Sequence, residues 1–230
     1  MDIIYPYSTP QILTEAVYAT YNGWSGSASP EQLEAAFVMS EENATAELGS
    51  YLLPTTTTGT ATLPILDQVL VLPYGHVSSV AAVRVVAHQY GQCEDVFTAG
   101  VSCAYILDEY AGIISLRGLG SICPCAYQGP PPYRVELVFT SGLPAGKAVS
   151  TPNILHALTI AAQLALEQII DPAAAEGGPG DPGVQAWRSL GYQEQRTPLR
   201  DTAFGSSPRA NYAARLLGRY KVRRVGKAGW

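Results

Sequence analysis

The sequence predicts an α+β fold, in which a small helical bundle carries an inserted antiparallel β domain and an extended C-terminal arm. Three observations lead to this prediction. Two long segments with helical spacing of apolar residues lie at about 30–48 and 154–170. Between them, residues 51–140 contain short β-branched segments separated by tight turns. After them, the chain ends in a strongly basic segment.

The first long helix is predicted over about 30–48. Ser29 is an N-cap residue, Pro30 suits the first helical position, and Gln32 stands where a capping-box partner belongs. Its packing face contains apolar residues at roughly helical spacing, namely Leu33, Phe37, Ala44 and Leu48, with Ala36 beside them. Gly49 is predicted to end the helix, and residues 1–28 are predicted to be irregular.

Residues 51–140 are predicted to form five or more short strands of a small antiparallel sheet, sandwich or barrel. The hairpin signal is clearest at 108–112, a turn with its glycine near the end. Three consecutive prolines make 129–132 a loop. The candidate strands are 55–58, 69–72, 80–86, 105–107, 113–116 and 134–139.

The second long helix, over about 154–170, has the most regular apolar face in the chain. Thr151 and Pro152 repeat the helix-start pattern of the first helix. The two long helices are predicted to pack on each other. The predicted packing residues are Leu33 and Phe37 on the first helix and Leu158, Ala162 and Leu166 on the second.

A Pro/Gly-rich loop is predicted at 171–186, after the second long helix. Farther along, Ser207 and Pro208 form a helix start like the two before it. Together with Gly218, a typical stop residue, they predict a short third helix over 209–217.

Charged residues make up 14% of the 230 residues, against about 25% in an average soluble chain. Because a soluble monomer needs surface charge, this low content indicates that neighbours cover much of the surface. The net charge of −5 hides an asymmetry. Residues 188–230 hold ten cations and two acids, whereas residues 1–187 hold four cations and 17 acids. The sequence therefore predicts an assembly component with an acidic body and a basic end.

The sequence predicts neither a membrane span nor a signal peptide. The longest apolar stretch, at 154–170, contains His156, Gln163 and Glu167 and is amphipathic. The N-terminal residues lack the basic start and the apolar run of a signal peptide. We therefore expect synthesis in the cytoplasm, where cysteines stay reduced.

Sequence motifs for cofactor binding are weak. Gly118 and Gly120 lack the third glycine and the following helix of a dinucleotide site, and no GKS or GKT motif or nucleophile elbow occurs. The four cysteines are Cys93, Cys103, Cys123 and Cys125. Their spacing is unlike that of structural zinc sites. We interpret them as ordinary thiols, with a zinc site or a disulfide as the alternatives.

The histidines and acidic pairs also give no clear site. The three histidines are His76, His88 and His156, and no two have the helical spacing of a metal-ligand pair. Adjacent acids occur at 41–42, 94–95 and 108–109, and we interpret them as solvated. The sequence therefore predicts no catalytic residue, no metal ligand and no cofactor.

The C-terminal segment is the most informative surface feature. Its cations are Arg215, Arg219, Lys221, Arg223, Arg224 and Lys227. Apolar residues stand between and after them, namely Leu216, Leu217, Tyr220, Val222 and Trp230. Because these apolar anchors weigh against a purely solvated end, we predict docking onto a partner. Contact with nucleic acid and a solvated, disordered end are the alternatives.

Three segments carry a resemblance to a known family. In chain order they are a hairpin, a strand with a glycine turn that leads to a proline-led helix, and leucines followed by tyrosine and arginines. The hairpin is 105–108 with 112–114, the second segment is 135–143 with Pro152 and 154–161, and the third is 214–224. In this order they resemble the head–tail connector (adaptor) proteins of tailed bacteriophages, over about residues 29–224. The β region at 51–140 is longer than in the compact helical members of that family.

The resemblance implies a structural virion protein in the neck of a tailed phage, made in the host cytoplasm. Such proteins form a homo-oligomeric, usually dodecameric, ring between the portal protein and a downstream stopper or tail protein. Genomic DNA passes through the ring, with transient non-specific contact. The C-terminal segment reaches the portal, which implies a docking role for Arg215, Leu216, Leu217, Arg219, Tyr220, Lys221, Arg223 and Arg224.

The implied organisation has three parts. Residues 1–50 and 141–207 form a helical body, residues 51–140 form an inserted β domain, and residues 208–230 form a basic docking arm. Two alternatives remain open. One is a stopper or tail-completion protein of the same virion, and the other is a small metal- or cysteine-dependent hydrolase using Cys123, Cys125 and a histidine. No membrane partner is expected.

Overall fold

The computed structural model confirms an α+β fold. It describes residues 7–21, 23, 26, 28–63, 68–88, 94–99, 103–117, 133–170, 186–189, 192–195 and 202–222. The helices are α1 (Glu15–Thr20), α2 (Pro30–Leu48), α3 (Lys147–Ser150), α4 (Pro152–Ile170) and α5 (Pro208–Leu217). The strands are β1 (Thr55–Leu63), β2 (Val69–Val71), β3 (Val77–His88), β4 (Glu94–Ala99), β5 (Ala104–Asp108), β6 (Ile113–Leu116), β7 (Tyr133–Ser141), β8 (Ala186–Ser189) and β9 (Tyr192–Gln195).

The described chain divides into two units. A β unit contains the described residues within 49–145 together with Val222, and a helical unit contains those within 7–48 and 146–221. The sequence predicts a separate docking arm that begins at residue 208. In the structure α5 is instead part of the helical unit, because its small apolar residues are buried there.

Two antiparallel sheets form the β unit, with strand orders β1–β7–β3–β4 and β2–β6–β5. Side chains alternate between the two faces of a strand, and β1 shows this clearly. Thr55, Gly59 and Leu63 are buried, whereas every even-numbered residue from 56 to 62 is exposed. The buried core between the strands contains Leu63, Leu72, Val77, Val83, Val85, Cys103, Ile114, Leu116, Val135, Leu137 and Phe139.

The candidate strands of the sequence correspond to β1, β2, β3, β5, β6 and β7, and the predicted hairpin is confirmed. At its turn, the Ala111 N–H donates to Asp108 Oδ1 at 2.9 Å, and Gly112 has a φ of 70°. The sequence does not predict α1, α3, β4, β8 or β9. α1 has only six residues, too few for a periodic pattern, and β4 is defined by its pairing with β3.

The glycine turn after β7 requires glycine. Gly142 has a φ of 146°, and a Cβ atom there would collide with the Leu53 carbonyl oxygen. The Gly142 N–H donates to the His76 carbonyl at 3.1 Å, and the Leu143 N–H donates to the Tyr51 carbonyl at 2.9 Å. The turn is therefore fixed by backbone contacts within the β unit.

The helical unit is built around α4, on which both α2 and α5 pack. The five packing residues that the sequence predicts are each at most 8% exposed, namely Leu33, Phe37, Leu158, Ala162 and Leu166. Among the described residues, α4 is also the helix whose length and composition would suit a membrane span. Of the residues in its apolar stretch, 56% are buried, and α2 and α5 pack on this helix.

The helix starts follow the predicted chemistry in two of three cases. The Ser29 N–H donates to Gln32 Oε1 at 2.9 Å and the Gln32 N–H donates to Ser29 Oγ at 3.3 Å, which completes a capping box. Ser207 Oγ accepts from the Ala210 N–H at 3.1 Å. Thr151 also stands at the predicted helix start, directly before Pro152, and its carbonyl accepts the Leu155 N–H at 3.2 Å. Its hydroxyl differs from the prediction, because it donates to the Lys147 carbonyl at 2.6 Å and so closes α3.

Glu41 is fully buried, so its interpretation as a solvated acid is wrong. Its Oε1 accepts from the Ile12 and Leu13 N–H groups, both at 2.8 Å, and its Oε2 accepts from the Gln11 N–H at 2.9 Å. These three donors replace the water that a carboxylate otherwise needs. The carboxylate thereby holds the segment before α1 against α2.

The burial of α4 predicts the effect of shortening one side chain. Leu158→Ala should lower the unfolding free energy of the helical unit by about 2–5 kcal/mol, because Leu158 is fully buried and a cavity would remain. Chemical denaturation followed by circular dichroism measures this. Gln168→Ala on the exposed face of α4 is the control and should change little. Equal stability of the two variants would contradict the assigned packing face.

The Glu41 contacts predict a second stability effect. Glu41→Gln should cost about 1–3 kcal/mol, because an amide presents one oxygen acceptor in place of two to the three backbone donors. The matched control is Glu42→Gln on the neighbouring, exposed acid. If thermal denaturation gives the same midpoint for both variants, the carboxylate does not hold the N-terminal segment.

Candidate functional site

The candidate site is the solvent-facing side of α5 and the turn that follows it, and we call it the docking surface. Ala210, Ala213 and Leu217 are fully buried at spacings of three and four residues, so they form the face of α5 that packs in the helical unit. The opposite side presents Tyr212, Arg215 and Arg219, which are exposed. The docking surface consists of these three residues and the half-buried Leu216 and Tyr220.

An aromatic stack supports one end of the docking surface. The ring of Tyr212 contacts the His156 ring edge-on, with 5.9 Å between the ring centroids. The His156 ring stacks on the Tyr21 ring, with 6.1 Å between the centroids. Tyr212 nevertheless remains 49% exposed. A positioned aromatic ring with a free face suits an interface, because little side-chain entropy is lost on contact. Tyr212 is not among the docking residues predicted from the sequence, although its spacing of three residues before Arg215 places both on one helix face.

Glu47 fixes the segment that carries the docking surface. Its Oε1 lies 2.7 Å from Lys221 Nζ, and its Oε2 accepts from the Ala203 N–H at 3.2 Å. The Glu47 side chain is only 9% exposed, whereas that of Lys221 is 33% exposed. Both ends of the segment 203–221 are therefore held to the end of α2.

Arg209 attaches the start of α5 to α4. Its Nη1 lies 2.7 Å from Glu167 Oε1, and its Nη2 donates to Gln163 Oε1 at 2.9 Å. Both ionic side chains are about half exposed, so the pair orients the helix more than it stabilises it. Among the described residues, Arg215 and Arg219 have no such acidic partner. Both arginines are exposed.

The structure brings only part of the predicted docking set together. Arg215, Leu216, Arg219 and Tyr220 lie on the docking surface. Leu217 is fully buried in the helical unit, and Lys221 is bound to Glu47. Arg223 and Arg224 lie outside the described residues. Lys227 and Trp230 do so as well.

The other residues considered for chemistry do not assemble into a site in the described structure. Cys103 is a buried free thiol, and the remaining three cysteines lie outside the described residues. His76 lies in a turn with a φ of 52°, and its ring meets Tyr110 edge-on at 4.7 Å. Within the part of the chain that the structure describes, no three His, Cys, Asp or Glu residues come together as a metal site.

Comparison with known proteins identifies the fold. No protein-family model and no curated protein matches the chain. Among solved structures, a chain from the virion of a native gene transfer agent (GTA) particle is similar, with 18% identity and a TM-score of 0.54 over 94% of this chain and 92% of that chain. A chain from the neck of an empty GTA particle, computed with C6 symmetry, is also similar. That match has 17% identity and a TM-score of 0.53 over 93% of this chain and 90% of that chain.

The Glu47 contact predicts the effect of removing its cation. Lys221→Ala should lower the unfolding free energy of the helical unit by about 1 kcal/mol, because a largely buried carboxylate loses its cationic partner and keeps only the Ala203 N–H. The control is Lys147→Ala, which removes an exposed lysine from α3. Urea denaturation compares the two, and equal midpoints would show that the ion pair does not hold the segment.

Proposed function

We propose that the chain is a structural protein of the neck of a phage-like particle, specifically a head–tail connector (adaptor). The observation that carries this proposal is the shared fold with a GTA neck chain over 90% or more of both chains. The order of sequence motifs supports the same assignment. In this role the chain has no catalytic task.

We infer that copies of the chain form a ring. The similar GTA neck was computed with C6 symmetry, and a dodecamer is compatible with sixfold symmetry. Only 14% of the residues of this chain are charged, which suits a subunit with extensive contacts to its neighbours. An acidic body, with 17 acids and four cations in residues 1–187, would repel rather than retain passing DNA.

The docking surface is the proposed contact with the portal protein. Arg215 and Arg219 would pair with carboxylates or carbonyl groups, since the planar guanidinium group makes two parallel hydrogen bonds. Tyr212 and Tyr220 would supply aromatic contact area, which is favoured in interface cores. A stopper or tail-completion protein would instead lie farther from the portal. The position of the chain in the particle therefore separates the two roles.

A reconstruction of the particle that contains this chain tests the proposed function. We expect several copies arranged as a ring in the neck, next to the portal. A single copy, or a position outside the neck, would refute the proposal. A ring that is separated from the portal by another protein would support the stopper alternative.

A charge-reversal variant tests the docking surface. Arg215→Glu with Arg219→Glu should leave the chain folded, because both side chains are exposed. It should abolish attachment to portal-bearing heads, because the reversed charges would repel the acidic groups with which the arginines are proposed to pair. Arg117→Glu with Lys147→Glu is the control, since it reverses two exposed cations elsewhere. Quantitative mass spectrometry of purified heads measures the bound chain. Normal attachment of the first variant would show that the portal contact lies elsewhere.

A further inference from the structure

The edge strand β1 lacks the usual features that protect a sheet edge. It has nine residues, TTTTGTATL, with no charged residue and no proline. Its register with β7 runs from Thr55 to Leu63 without a bulge, whereas the register of β3 with β7 shifts twice. Proteins normally protect an edge with charges, proline, bulges or short strands, because unpaired backbone groups recruit other strands. Within the described residues, no strand covers the other side of β1.

The direction of the unpaired backbone groups follows from the neighbouring strands. The Gly142 N–H donates to the His76 carbonyl and the Val77 N–H donates to the Glu109 carbonyl, so Val77 and Ser141 are a non-hydrogen-bonded pair. The backbone groups of Ser141 therefore point to its other partner, Thr55. By alternation, the N–H and C=O groups of the even-numbered residues of β1, namely Thr56, Thr58, Thr60 and Thr62, point to the open edge.

The opposite edge of the same sheet is β4. Every neighbouring pair in the order β1–β7–β3–β4 is antiparallel, so β4 runs opposite to β1. The same alternation directs the backbone groups of Val96 and Thr98 away from β3. Because the sheet has an even number of strands, copies placed side by side in one orientation bring β4 of one copy antiparallel to β1 of the next.

We propose that β1 of one copy pairs with β4 of the next copy, so that the four-stranded sheets join into one continuous antiparallel sheet. This inference rests on the proposed ring, because a ring requires two different, complementary surfaces on each subunit. The two edges of this sheet are such a pair. The outward N–H and C=O groups of each edge strand can serve as hydrogen-bond partners for those of the other. A β1–β1 contact about a twofold axis would form a closed dimer and leave β4 unpaired.

Two variants separate the backbone of β1 from its side chains. Thr58→Pro with Thr60→Pro removes two outward N–H donors but no hydrogen bond to β7. Thr58→Ala with Thr60→Ala removes the same side chains and keeps both donors. In particles assembled with the full chain, mass spectrometry should find the alanine variant at wild-type copy number and the proline variant lost. Wild-type copy number of a folded proline variant would overturn the proposal.

Hydrogen exchange of the wild-type chain decides the matter even if the proline variant does not fold. In assembled particles, the amides of Thr58, Thr60, Val96 and Thr98 should exchange more slowly than in the free chain, because pairing protects them. Unchanged exchange at these amides in a ring would overturn this inference and leave the proposed function intact. Protection of β1 without β4 would also overturn it, in favour of the twofold dimer. Absence of a ring would instead refute the proposed function.

Discussion

The helical unit depends on the apolar face of α4, because both α2 and α5 pack on it. Small residues make this possible, since Ala157, Ala161, Ala162 and Ala165 are all buried and allow neighbouring helices to approach closely. Leu158, between them, is fully buried and fills the space that the alanines leave. The packing of α5 on α4 therefore determines the orientation of the docking surface. Arg209 holds the start of α5 to α4, and Glu47 holds the flanking residues Ala203 and Lys221 to α2.

Two acids on α2, Glu41 and Glu47, hold distant segments of the chain in place. Glu41 accepts three backbone N–H groups from residues 11–13, and Glu47 binds Lys221 and the Ala203 N–H. A buried carboxylate without partners would be strongly unfavourable, whereas these contacts compensate its desolvation. Both acids therefore attach distant parts of the chain to α2: Glu41 the N-terminal segment, and Glu47 the segment that carries the docking surface.

Local sequence patterns predict local structure in this chain. The predictions fail where the structure depends on contacts between residues that are distant in sequence. The capping box of Ser29 and Gln32 is confirmed, because both partners lie within one helical turn. The burial of Glu41 could not be predicted, since its partners lie 28 to 30 residues away. The docking set is affected in the same way. Leu217 resembles an interface anchor in the sequence but belongs to the core, while Tyr212 stays exposed.

The two proposed contacts of the chain differ in their physical basis. Portal docking uses exposed arginines, so its electrostatic part weakens as salt screens the charges. Pairing of β1 with β4 uses backbone hydrogen bonds between uncharged groups of the peptide chain, which salt screens little. The side chains of β1 are all uncharged as well. With these two contacts, ring closure and attachment to the portal would be separable steps. Salt that weakens the docking contact would leave the joined sheets intact, and a preformed ring would present many docking surfaces at once.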